Sequence, residues 1–308
     1  MSNKYVYSFV MLAVITVILA GITGIYRNNT KEEKKAAQEN ITVITSFYPM
    51  YIAADNLLQG VDGVTLQNLS EPQTGCLHDF QLTPEDMKLL STADVFVING
   101  SGAETFIADV IKQYPKLKVI DATKNFENLS SHIDEETAMH AWMDPYLYGL
   151  EIKNISDGLK GVLKEQETEL TGNEKTYLSQ IKKLQNRVKS LRQTLKGRDV
   201  ILFSEAYLGF ADTLGLNNVY LMDLDEERQV SSGEVAKVMN AIEESKDVFV
   251  LAEDPYGKDL GTTVKKERDV EVLYIDTLTR GDYNRHRYVE GMQANLDLIK
   301  ELIERETH

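Results

Sequence analysis

The sequence predicts an α/β protein of two lobes, each built on a parallel sheet, joined by one long helix and preceded by an N-terminal membrane span. Three observations predict it. Short strand-like and helix-like runs alternate in both halves of the chain, a helical pattern runs unbroken over residues 174–195, and residues 5–25 are almost wholly apolar.

With 308 residues the chain is long enough for two lobes, each with its own core. Its 48 acidic and 33 basic residues give a formal charge of −15, which argues against nucleic acid, because phosphate binding needs a basic face. The balance suits a body that meets cations. One cysteine, Cys76, excludes an internal disulfide framework and a thiolate-rich zinc cluster.

Residues 1–26 read as a signal anchor or signal peptide. No charge falls between Lys4 and Arg27, and the apolar run is about as long as a hydrocarbon core requires. Cleavage needs small residues at −3 and −1, but the candidates Ala20, Gly21 and Gly24 have Ile18, Leu19 and Ile22 at −3, so an uncleaved anchor is expected. Residues 27–40 are polar and lack apolar periodicity. They read as a flexible tether of about 20 Å reach.

The N-terminal α/β lobe is assigned to residues 41–172. Strands are expected at 41–47, 64–69, 94–99 and 116–121, with helices at 51–58, 84–91 and 104–113. Thr83 and Pro84 open the second of these helices as cap and first residue. Residues 127–137 read as an irregular loop before His140. From Pro145 the pattern turns helical, and Gly172 with Asn173 is expected to interrupt it.

A linking helix is assigned to residues 173–196. Tyr177, Ile181, Leu184, Val188, Leu191 and Leu195 share one face at helical spacing, and the run would span about 33 Å, enough to cross between lobes.

The C-terminal α/β lobe takes residues 197–308. Strands are expected at 199–203, 218–222, 247–252 and 270–275, with helices at 206–214, 232–244 and 288–304. Met292, Leu296, Ile299 and Leu302 line one face of the last.

Four residues are candidate ligands for one divalent metal ion: His78, His140, Glu205 and Asp276. Open parallel sheets bind ligands beyond the carboxyl ends of their strands. Glu205 lies one residue past the strand ending at Phe203, and Asp276 directly follows Ile275. His78 follows a strand and loop, and His140 precedes the helix near Pro145. Two ligands thus come from each half. The carboxylates also suit helix or turn caps. Asp79, Asp144 and Glu253 are rival oxygen donors, and Trp142 reads as a packing residue of the cleft wall.

Four motifs carry a family resemblance. His78, Asp79 and Phe80, with Pro84–Asp86 and Ala93–Val95 behind them, resemble the first-lobe motif of the zinc and manganese solute-binding proteins of ABC transporters, known as cluster A-I. His140 to Pro145 resembles that family's second motif, Ser204 to Phe210 its third, and Asp276 to Leu278 its fourth. The resemblance covers residues 41–305. It implies two Rossmann-like lobes, a rigid linking helix, an ion in the cleft, and delivery to an ABC permease by a body on the extracytoplasmic face of the cell membrane; the chain is expected to be a monomer. The lipidated cysteine typical of Gram-positive relatives is absent, which leaves anchoring to the apolar N-terminus.

The cargo is expected to be Zn2+ or Mn2+. Glu205 stands where many zinc members have histidine, and carboxylate in place of imidazole favours a harder ion. The wording around His78 resembles zinc members. No catalysis is required. The alternatives are a membrane-anchored metallohydrolase, with Glu253 as general base, or a surface adhesin stabilised by the metal, but no hydrolase motif is present.

Overall fold

The structure is a computed structural model that describes Thr16 and residues 40–71, 80–129, 133–224, 230–254 and 256–306. Apart from Thr16, the apolar run at residues 5–25 lies outside the described residues, as do Cys76, His78 and Asp79. Among the described residues no helix is long and apolar enough to cross a membrane. Two compact units divide the chain: residues 1–41 with 62–65, and residues 42–61 with 66–308. In the small unit Ile41 N–H donates to the Gly63 carbonyl at 2.9 Å. The larger unit holds the body of both halves of the fold.

The first half contains β1 (Ile41–Thr45), α1 (Tyr48–Leu57), β2 (Val64–Asn68), α2 (Pro84–Leu90), β3 (Val95–Ile98), α3 (Ile107–Gln113) and β4 (Lys118–Asp121), in sheet order β2-β1-β3-β4. After it come α4 (Glu135–Met139) and α5 (Pro145–Val162), then the long α6 (Glu167–Leu195). The second half contains β5 (Asp199–Leu202), α7 (Leu208–Leu214), β6 (Asn217–Leu221), α8 (Ser232–Glu244), β7 (Val248–Ala252), α9 (Lys258–Glu267), β8 (Glu271–Tyr274) and α10 (Arg287–Glu306), in sheet order β6-β5-β7-β8. The same winding is used twice. The pairings β1–β3, β3–β4, β5–β6, β5–β7 and β7–β8 are parallel.

Local chemistry explains the element boundaries. Thr83 caps α2 in a capping box with Asp86, which satisfies two end amides of the helix. Ser231 and Glu234 do the same for α8. The central strands are apolar throughout: Val95 to Ile98 and Phe249 to Ala252 are buried, as strands covered on both faces must be. One core gathers around Ile44, Phe96, Ile98 and Val110, another around Ile201, Phe203, Val250 and Val264.

The long helix starts earlier than its sequence suggests. Gly172 and Asn173 lie inside α6, and the break falls at Leu163, followed by a single 3-10 turn at Lys164–Gln166. Tertiary contact decides this. The Asn173 amide donates to the carbonyls of Leu57 and Gln59 at 2.8 Å each, closing the C-terminus of α1, while Leu170 is buried one turn before it. Tyr177, Ile181, Leu184 and Val188 continue the buried stripe. At 29 residues α6 is about 44 Å long, and it packs on α1 and α5 of the first half and on α7 and α10 of the second.

Two helices stand where the sequence reading had none. Residues 127–137, read as irregular, contain a 3-10 turn at Phe126–Asn128 and the start of α4, whose N-cap Asp134 accepts from Thr137 N–H at 2.8 Å. The other is α9, which buries Leu260, Gly261 and Val264. Both are short in apolar residues, so periodicity gave no signal for them.

Candidate metal centre

Both sheets change winding direction between their two central strands; Glu205 lies beyond the carboxyl end of the central strand β5, while Glu136 and His140 come from α4, after the edge strand β4. At the end of β3, the buried Asn99 amide donates to the Met139 carbonyl at 3.0 Å. That bond pins the residue just before His140. His140 closes α4 and opens a 3-10 turn, Ala141–Met143, and it is only 3% exposed. Its Nδ1 lies 3.2 Å from the Glu136 carbonyl oxygen and 3.1 Å from Glu136 Oε1. The ring also packs against Trp142, with centroids 5.3 Å apart.

Glu205 comes from the second half. It begins the 3-10 turn Glu205–Tyr207 just past β5, where Ser204 accepts from Ala206 N–H at 3.3 Å. The Glu205 amide donates to Asp223 Oδ1 at 3.2 Å, which ties the turn to the end of β6. Partial burial first, then the charges of Asp223 and Glu136, push the Glu205 carboxyl up to about 7, against the pull of His140.

Glu136, His140 and Glu205 each offer one ligand atom, and these atoms lie within 4.8 Å of one another. A divalent ion held at about 2.0–2.3 Å from its ligands places those ligands at comparable separations. Two of the three were singled out from sequence. Glu136 was not, although it stands four residues before His140, the spacing that puts two side chains on one helical face. Reading that stretch as a loop hid the relationship.

Asp276 follows β8 and has other partners. Arg287 makes an ion pair with its Oδ2, and Leu278 N–H donates to its Oδ1 at 2.8 Å. Its main chain makes two bonds with the buried Asn295 side chain, at 2.9 and 2.8 Å. Leu278 sits at φ +60°, a left-handed conformation that costs a branched residue about 1–2 kcal/mol. The Tyr207 hydroxyl donates to the Ile275 carbonyl at 2.7 Å, so the Glu205 turn and the Asp276 loop are joined through buried structure.

Of the rival donors, Asp144 caps α5, accepting from Tyr146 N–H at 2.7 Å, and takes the Thr213 hydroxyl from the second half. Glu253 accepts from the Thr277 hydroxyl at 2.9 Å. Trp142 is buried, as expected of a packing residue. His78, the fourth sequence candidate, lies outside the described residues.

Residues 43–302 match the family described as ZnuA, zinc-uptake complex component A, periplasmic. The chain belongs to this family. A manganese-binding lipoprotein, MntA, of Halalkalibacterium halodurans is 23% identical over 96% of this chain and 97% of its own. The high-affinity zinc uptake system protein ZnuA of Bacillus subtilis is 22% identical over 94% and 96%. Among solved structures, the solute-binding protein FpvC of Pseudomonas aeruginosa in complex with Mn2+ superposes with a TM-score of 0.73, at 19% identity, over 87% of this chain and 100% of that one. An uptake component binds its ion and hands it on. It is not an enzyme, and the metallohydrolase alternative is set aside.

Proposed function

We propose that the chain is the extracytoplasmic binding component of an ABC importer, and that it captures one divalent metal ion, Zn2+ or Mn2+, between its lobes and delivers it to the permease. The observation that carries this reading is the meeting of His140, from the first half, with Glu205, from the second, inside one ion-sized cluster. The family and the metals in its relatives' names agree with it.

His140 and Glu205 bind the ion, His78 is a further ligand, and Asp276 joins when it exchanges Arg287 for the metal. Two neutral imidazoles and two carboxylates carry −2, which a divalent cation cancels. Residues 5–25 hold the body at the membrane, residues 27–40 tether it, and one chain serves one permease as a monomer.

Calorimetric titration of the purified chain with zinc and with manganese, beside His140→Ala and Glu205→Ala, tests this. One saturable site per chain that each substitution weakens is the expected result. No saturable binding of either ion would overturn it.

A further inference from the structure

On the reading that the cleft binds a metal ion, we propose that Glu136 is a further ligand, and that it tilts the site toward manganese. The helix α4 presents it four residues before His140, and its carboxylate shares the cluster with His140 and Glu205.

A carboxylate next to a metal-binding histidine has two possible roles. It binds the ion, or it stands behind the imidazole and orients it. Two Glu136 oxygens lie near His140 Nδ1, the carbonyl at 3.2 Å and Oε1 at 3.1 Å, and with the carbonyl accepting the proton there Nε2 keeps its lone pair for the metal while the carboxylate can turn to the ion. The Asn99 bond to Met139 and the tilted packing against Trp142 hold the ring further. With the carbonyl in place, the ring keeps an acceptor at Nδ1 when the carboxylate turns away. That side chain is 33% exposed, which leaves it room to turn onto an ion entering the cleft.

Charge points the same way. Arg287 neutralises Asp276, so that pair adds no net charge while it is closed. While that pair is closed, Glu136 and Glu205 with a neutral His140 supply −2 to an arriving divalent cation, and Asp276 joins them when it leaves Arg287. An added oxygen donor raises the coordination number and hardens the site. Both changes favour Mn2+ over Zn2+, which is content with four ligands.

The test compares the full chain with Glu136→Gln and Glu136→Asp, titrating each with Mn2+ and Zn2+ and recording the visible spectrum of the Co2+ form. Circular dichroism of the metal-free proteins checks their fold. If Glu136 is a ligand, Glu136→Gln loses manganese affinity by a larger factor than zinc affinity, and its Co2+ spectrum changes in intensity and position as the coordination changes. Glu136→Asp, which keeps the carboxylate, retains more manganese affinity than Glu136→Gln. Unaltered manganese affinity, or an unaltered Co2+ spectrum in Glu136→Gln, overturns the ligand assignment while wild-type binding leaves the transport reading standing. Failure of the wild-type chain to bind any of the three ions overturns both.

Discussion

The indole N–H of Trp142 donates to the main-chain carbonyl of Thr277 at 2.9 Å, a buried bond between the two halves of the chain. It joins the residue two past His140 to the residue next to Asp276, so one hydrogen bond sets the spacing of two candidate ligand loops. Tyr288 adds to it by donating its hydroxyl to the Trp142 carbonyl at 2.8 Å.

Replacing Trp142 with Phe strands the buried Thr277 carbonyl. The expected loss of stability is about 1–3 kcal/mol, read from denaturant unfolding. Metal affinity should fall in the same variant, because the Asp276 loop loses its register against His140. A variant equal to wild type in both would show that the bond does not hold the loops.

Other contacts cross between the halves near the same place. The Tyr48 hydroxyl donates to the Asp282 carbonyl, the Asn56 amide to the Arg285 carbonyl at 2.8 Å, and Arg285 pairs with Asp55 at 3.2 Å. All of them fasten the loop before α10 onto α1. With α6 packed on both halves, metal loading should move the lobes by about 1 Å or less. Small-angle scattering of the metal-free and loaded chain should therefore show no clear compaction, and a large drop in radius of gyration would contradict this.

Gly291 is a helix residue with a site consequence. A methyl group there would collide with Leu278 Cδ2 and Arg287 Nη1, the two side chains that shape the Asp276 loop. Alanine normally gains about 1 kcal/mol over glycine inside a helix. Here overpacking should reverse the sign, for a net loss of about 1–3 kcal/mol, measured as a lowered thermal midpoint together with weakened metal binding.

Glu151 is wholly buried in α5, and neither carboxylate oxygen has a hydrogen-bond partner among the described residues. Burial first, then Glu104, Asp121 and Asp144, raise its pKa well above the ordinary value. A carboxyl raised on folding contributes its stability below the ordinary carboxylate range and loses it as pH rises toward the folded value. Glu151→Met should therefore be more stable than wild type by about 1–3 kcal/mol, with an advantage that grows as pH increases. Parallel unfolding curves across pH would test both points.

On the proposed ligand assignment, Glu205 sets the pH dependence of binding. With its carboxyl pushed up to about 7 in the metal-free protein, a proton must leave before the ion binds. Affinity should rise with pH through about 7, and proton release on binding, followed by calorimetry in buffers of different ionisation enthalpy, should shrink above that range. In Glu205→Gln that part of the pH dependence should vanish.

The pattern of residues alone determined the two α/β halves, the stripe that makes α6 a long amphipathic helix, and the candidacy of His78, His140, Glu205 and Asp276. Each signal is local: alternating strand and helix runs, apolar spacing along one face, and carboxylates placed just past strand ends. Only the tertiary structure decided where α6 begins, because Asn173 stays helical by capping a helix that ended at Leu57. It alone brought Glu136 to the site, since α4 is too short to show periodicity and is held by Asn99 from a distant strand. It also gave Asp276 to Arg287, a pairing between a strand end and the first residue of α10. Contacts of this kind depend on how separate elements pack, and spacing along the chain does not encode them.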